Sequence, residues 1–467
     1  MSPHQPISVS SHPMKLHLAH ALRLALLGAA GASCALAAVQ TTAVTGARFL
    51  PIDGPPIEGG VMLVEGGRIR AIGPAARIEV PAGATIVDVR GKTVMPGLVD
   101  THSHLGGVGA ADGSGPLQPG VRVFDSIDAR SAGFRRALAG GLTTLNLMPG
   151  SGHLSSGQTS YVKLRFDPGA PRTIDAIAYR FPDGSPMGGL KMANGTNSIR
   201  NGGESGFPGT RGKSAFLVRE LFLRAREYSA KLAAATDEEG VVDPDERPAR
   251  DLDLECLLEV MDGKRVVHHH THRHDDVLTV LRLAEEFGFR VVLHHVSEGW
   301  RVADEIAAAG APCSLILVDS PGGKLEAVHL VMETGAALER AGVRVAFHTD
   351  DWITDSRLFL RMAALGVRAG MSRQAALESV TLAGAEMLDL DGRVGSLTPG
   401  KDADFVVLSG DPFSVYTRVE QTWVEGVKVF DRSDPDDLLR AEGGFGAADD
   451  VTPYLCCHDR ATEGGRR

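Results

Sequence analysis

His102-Ser103-His104 closes the apolar run Val94-Met95-Pro96-Gly97-Leu98-Val99-Asp100-Thr101. Residues i and i+2 of an extended chain point the same way, so one strand end carries two imidazoles on one side. That is half of a divalent-metal site. Other apolar runs end similarly. Val266-Val267 leads into His268-His269-His270-Thr271-His272-Arg273-His274, Val291-Val292-Leu293 into His294-His295, and Val343 to Phe347 into His348-Thr349-Asp350-Asp351. On an extended chain His268, His270 and His272 share one face and His269 the other, so they cannot all hold one ion. His270 is the expected ligand, with His272 as its support or as a substrate contact. His295 is preferred over His294. Asp350 is the expected carboxylate ligand and proton acceptor, and Asp351 a helix-start or supporting residue.

Imidazoles plus one carboxylate suit Zn²⁺, and also Mn²⁺, Fe²⁺ or Co²⁺. Such an ion brings the pKa of a bound water to roughly 7. A neighbouring carboxylate then carries the proton to a leaving nitrogen. The chemistry these residue types point to is metal-assisted hydrolysis.

The elements that position them follow from the hydropathy pattern. Residues 41 to 93 hold short strand-like runs punctuated by Gly59-Gly60, Gly66-Gly67 and Gly73-Pro74. From 94 to about 390, strand-like and helical runs alternate, which favours a parallel barrel with its site at the C-terminal strand ends. Residues 394 to 431 return to β character. The reading is an α/β barrel over 94–393, inserted in a small β-domain made from 41–93 plus 394–432, with an extension and tail over 433–467. Gly150 to Thr159 reads as a flexible loop, with His153 or Gln158 as possible substrate contacts. Residues 235 to 253 read as a surface loop. Asn201 to Gly209, followed by Gly212-Lys213-Ser214, lacks the spacing of a phosphate loop.

The chain has 467 residues and a formal charge of -10, with no basic patch, so nucleic acid is not an expected partner. Lys15 and Arg23 precede an apolar core from Leu24 to Leu36, and Ala35-Leu36-Ala37 has the small-x-small form of a cleavage site. Residues 1–37 therefore read as a signal peptide with an N-terminal extension. The mature chain is expected to begin near Ala38, exported to a periplasm or secreted. The apolar core is short for a membrane span, so no stable insertion is expected after cleavage. Cys256, Cys313, Cys456 and Cys457 show no CxxC spacing, so they form neither a zinc knuckle nor a disulfide scaffold.

Two motifs carry a resemblance. Val94 to His104, and Gly395-Ser396-Leu397-Thr398-Pro399-Gly400-Lys401-Asp402-Ala403-Asp404-Phe405-Val406-Val407, resemble the amidohydrolase superfamily, imidazolonepropionase-like branch, over about residues 41 to 432. The resemblance implies a (β/α)8 TIM-like barrel with a composite β-sandwich. It implies metal ligands at His102, His104, His270, His295 and Asp350, and one or two ions. It implies a hydrolase of carbon–nitrogen bonds other than ordinary peptide bonds. Binuclear members carry a carbamylated lysine on the fourth strand. Lys191 is the candidate, Lys163 the alternative, and an unmodified structural lysine stays open. Many deaminase and imidazolonepropionase members have a glutamate soon after the fifth-strand histidine; Thr271-His272-Arg273 offers none before Asp275. The combined reading is an amidohydrolase acting on a small molecule, cyclic amide or short peptide derivative. Asp350 shuttles the proton, and a histidine, His295 or His272, polarises the carbonyl. An aminohydrolase and a non-catalytic relic of the barrel are the rival readings, and a homo-oligomer is compatible with either.

Overall fold

The computed structural model describes residues 40–443 except 167–171, 201–205, 318–324 and 352, together with Ala447. The expected leader at 1–37, residues 201–205, and the tail with Cys456 and Cys457 lie outside the described residues.

Both ends of the chain build β-structure. Four strands pair in the order Arg68–Pro74, Gly60–Glu65, Thr42–Thr45, Thr85–Asp88. Five pair in the order Val427–Asp431, Val419–Val424, Phe405–Leu408, Thr93–Pro96, Arg48–Phe49. Phe405–Leu408 runs antiparallel to Thr93–Pro96, so the late segment returns to the early one. Val44, Phe49, Met62 and Val94 share one buried cluster with Phe405, Val407 and Trp423. The alternation in Gly60–Glu65 sends Met62 and Val64 into that cluster and Val61 and Leu63 into a second one with Ala43.

Between these segments run nine strands: β1 (Leu98–Ser103), β2 (Leu142–Leu147), β3 (Ser155–Gln158), β4 (Ser160–Lys163), β5 (Leu190–Ala193), β6 (Val267–Thr271), β7 (Val291–His295), β8 (Cys313–Leu315) and β9 (Val345–Phe347). β1 and β2 are parallel, and β5 through β9 form an unbroken run of parallel neighbours. Helices that include Ala132–Ala139, Arg211–Ala234, Leu252–Met261, His274–Phe287 and Phe359–Arg368 pack apolar faces on them, with Phe134, Phe222, Val277, Phe287 and Phe359 in the main core. Every residue of β6 and β7 is buried, as expected of strands covered on both faces. Between β1 and β9 the described residues form no ladder. A single parallel bridge, Ser103 to Asp351, joins their ends.

Two expectations are corrected. The segment Gly150 to Thr159 is not simply a loop: its second half is β3, which continues through Thr159 into β4. β3 runs antiparallel to β5, and β4 antiparallel to β2, so the strand set is mixed rather than all parallel. The small polar residues that suggest a loop serve close backbone approach instead. A Cβ on Gly157, at φ 117°, would lie 2.4 Å from the Val121 carbonyl oxygen, and one on Gly188 would lie 1.9 Å from that of Thr159. Between β8 and β9 the described residues hold a 3₁₀ turn, Leu325–Ala327, and a helix, Thr334–Arg340. Residues 433–443 are partly ordered as the helix Pro435–Glu442, capped by Asp434. Among the described residues, no helix is long and apolar enough to cross a membrane.

Candidate metal centre

The parallel register sets which side chains can meet. Lys191 of β5 lies opposite His268 of β6, and His270 and Thr271 of β6 lie opposite His294 and His295 of β7. β1 brings His102, and His104 follows at its end. His102 Nε2 and His104 Nε2 are 3.3 Å apart. Asp350 Oδ1 lies 3.0 Å from His104 Nε2 and 3.5 Å from His102 Nε2. Lys191 Nζ is 3.2 Å from His102 Nε2 and 3.1 Å from Met148 Sδ. The Met148 carbonyl oxygen, 2.7 Å from His104 Nδ1, accepts a hydrogen bond there and turns Nε2 of that ring toward Asp350.

On the facing wall the His270 ring lies 4.4 Å from His295 and 4.7 Å from His272, centre to centre. His272 Nδ1 is 2.7 Å from Ser297 Oγ. His295 Nδ1 is 3.1 Å from His348 Nε2, and His348 Nδ1 is 2.7 Å from Ser314 Oγ. Among the described residues, three groupings have ligand atoms within 4.8 Å of one another: His102, His295 and Asp350; His102, His294 and His348; and His270, His272 and Glu326. The structure thus brings His102, His104, Lys191, His295 and Asp350 to one place, with His270 and His272 beside His295.

These residues fit a divalent ion. A ligating imidazole must be neutral. Burial, reinforced by the Lys191 charge on His102 and by neighbouring rings on His295, holds both imidazoles well below their ordinary value. His295 Nε2 and His102 Nδ1 are buried with no hydrogen-bond partner. Burial favours the protonated carboxyl of Asp350, but the His104 hydrogen bond and charge outweigh it and hold the group down at about 2. The backbone at the site is held in the left-handed region, with φ 70° at His295, 46° at Val296 and 48° at Asp350. Non-glycine residues adopt this region mainly where the surrounding structure imposes it.

The remaining histidines of the cluster have other partners. His268 Nδ1 is 3.0 Å from His294 Nε2, and His268 Nε2 is 2.9 Å from the Tyr161 hydroxyl, beneath the site. His269 Nδ1 donates to the His270 carbonyl oxygen, and His274 pairs with Glu298. Lys163, the alternative lysine, is corrected: its Nζ is 2.5 Å from Asp402 and 2.9 Å from Asp404, so it joins β4 to the C-terminal β-segment instead of reaching the ion site. Asp351 accepts from the Ser356 backbone and lies 3.5 Å from Arg136, in keeping with support. His153 is buried against Phe207, and Gln158 pairs with Leu190 in the β3–β5 ladder.

Sequence reasoning missed several groups. Asp100 is fully buried and accepts from Thr349 Oγ1 at 2.5 Å and from the Thr349 and His102 backbone amides. Burial pushes its carboxyl up to about 7. Its position two residues before His102 was the only available signal. Glu326 lies in a 3₁₀ turn far from any strand end and had none.

A model of the Amidohydrolase family matches residues 93–429, and the chain belongs to that family. The superfamily fold is a TIM barrel with a β-sandwich. Amidohydrolase tasK of Hapsidospora irregularis is 30% identical over 395 residues, 80% of this chain. The match spans only 40% of that longer relative. Imidazolonepropionase of Symbiobacterium thermophilum is 23% identical over 396 residues, 76% of this chain and 85% of that protein. Among solved structures, an amidohydrolase from Thermotoga maritima MSB8 is 34% identical with a TM-score of 0.76, over 84% of this chain and 100% of that one.

Proposed function

We propose that this chain is a metal-dependent hydrolase of an amide carbon–nitrogen bond, other than an ordinary peptide bond, in a small molecule, cyclic amide or short peptide derivative. The observation that carries the proposal is the meeting of Asp350 Oδ1 with His104 and His102, beside the unpartnered His295 Nε2. A divalent ion held by His102, His104, His270, His295 and Asp350, zinc first and manganese, iron or cobalt otherwise, supplies Lewis acidity toward the carbonyl oxygen and water. Lys191 is placed to join that ligand set, unmodified or as a carbamate.

The chain's own residues do the rest. Asp350 accepts a proton from the attacking water and returns it to the leaving nitrogen. His272, oriented by Ser297, donates to the carbonyl oxygen as charge builds there. The new carbon–oxygen bond replaces the carbon–nitrogen bond, and the products are a carboxylic acid and an amine. The proposal includes export, on the strength of residues 14–37.

Elemental analysis of protein grown with zinc and manganese, joined to a panel of small amides, tests the reading. The expected result is at least one transition metal per chain, with turnover lost on chelation and restored by metal. Well under one metal per chain, or turnover that survives complete chelation, would overturn it.

A further inference from the structure

Glu326 is a buried carboxylate beside the site that the proton transfer above does not use. Its side chain is 3% exposed. Oε2 is fixed by the Thr196 amide at 2.8 Å and by Arg211 Nη2 at 3.4 Å. Oε1 is buried with no hydrogen-bond partner. The carboxylate lies with His270 and His272 in one group whose ligand atoms fall within 4.8 Å. The fold makes room for it: Gly195, at φ 75°, faces Oε2 where a Cβ would come within 2.5 Å.

An unmet oxygen of a buried carboxylate is costly unless a donor meets it. The charge balance says which kind of donor. Arg211 is shared, with its Nε 2.8 Å from Asp276 Oδ2. Two carboxylates thus share one guanidinium, and a cationic donor suits the oxygen that Arg211 does not reach. Leu325 and Val328, on either side of Glu326, are 87% and 65% exposed. Trp300, whose Nε1 donates to the His329 carbonyl oxygen, stands next to the same segment.

We propose that Glu326 is the specificity-determining residue of the site, and that its Oε1 accepts from an ammonium group on the substrate. The substrate class is then an amide with a free amine near the scissile bond, as in an amino-acid amide. This rests on the amide-hydrolase reading for the identity of the scissile bond, and on the geometry alone for the amine.

The test is equilibrium binding by calorimetry to the full, metal-loaded chain. The probes are L-leucinol, which has the ammonium and the isobutyl group but no scissile bond, and N-acetyl-L-leucinol, which lacks the charge. Wild type is expected to prefer L-leucinol by about tenfold or more, the scale of a hydrogen bond to a charged group. Glu326→Gln is expected to abolish that preference with metal content unchanged. Equal affinity of wild type for the two probes, or no binding of either, overturns the proposal whatever the variant does. Loss of metal in Glu326→Gln also overturns it, because the carboxylate is then a ligand. Failure of the hydrolase reading looks different: no amide is turned over, yet the Glu326-dependent preference for L-leucinol persists.

Discussion

The backbone amide of Asp350 donates to the carbonyl oxygen of His102 across 2.9 Å. The same two residues approach again through their side chains, at 3.5 Å. Backbone and side chain therefore fix one geometry: the segment after β9 cannot shift without moving the carboxylate relative to the imidazole. The left-handed φ of Asp350 is the backbone cost of that arrangement.

Asparagine at 350 keeps the shape but cannot take a proton from water at neutral pH. Asp350→Asn is expected to lower kcat/KM by about 10² to 10⁴, the usual scale of a general base, while the fold survives. Asp351 instead accepts from the Ser356 amide and faces Arg136, and burial raises its carboxyl. Asp351→Asn is expected to lower the melting temperature and to cost less than about tenfold in rate. Kinetics, metal content and melting of both variants decide it. If Asp351→Asn is the slower enzyme with metal still bound, the roles are reversed.

Lys191 is fully buried, with its Nζ against His102 Nε2 and Met148 Sδ. On the proposed reading His102 holds the ion, and the amine beside it belongs to that site. Lys191→Ala is expected to reduce bound metal per chain and to cost about 10² or more in turnover, on the scale of removing a group that orders a metal site. Elemental analysis read beside activity checks this. Metal content equal to wild type with near-normal turnover would make Lys191 structural.

The histidine–aspartate cluster was legible because each member ends an apolar run, and the end of a parallel strand is a place that sequence can mark. His102, His104, His295 and Asp350 were found that way and meet in space. The mixed direction of β3 and β4 was not legible. Ser155-Ser156-Gly157-Gln158 carries no apolar alternation, and its Gly157 answers to a backbone contact from Val121 that only the fold creates. Glu326 was illegible for a related reason: its partners Thr196, Arg211, His270 and His272 come from three other segments. His268 and His294, not preferred as ligands, face each other because adjacent parallel strands bring their rings together, and His268 also meets the Tyr161 hydroxyl.

Residues 14–37 make a separate prediction. Lys15 and Arg23, then Leu24 to Leu36, then Ala35-Leu36-Ala37, have the order an export signal needs. N-terminal sequencing of native protein from fractionated cells is expected to find a chain beginning near Ala38, outside the cytoplasm. Soluble cytoplasmic protein that retains Met1 or Met14 contradicts it.

The last prediction concerns how β4 is held to the C-terminal β-segment. Arg165 forms two bonds of 2.7 Å to the Glu425 carboxylate, and Lys163 Nζ lies 3.4 Å from it. Burial favours the protonated acid, but the Arg165 hydrogen bond and the Lys163 and Arg165 charges outweigh it and bring the carboxyl from 4.5 to about 2. A folded value below the unfolded one means that the ionised group stabilises the fold. That contribution is complete above about pH 4.5 and fades as pH falls toward 2. Because the side chain is 30% exposed, solvent screening limits its size to about 1–2 kcal/mol. Glu425→Gln is therefore expected to melt below wild type at pH 7, with the gap narrowing between pH 4.5 and the lowest pH at which both variants still fold. Thermal melts of the two proteins across that window measure it. A gap that stays constant with pH would show that Glu425 stabilises through packing and hydrogen bonding alone, without its charge.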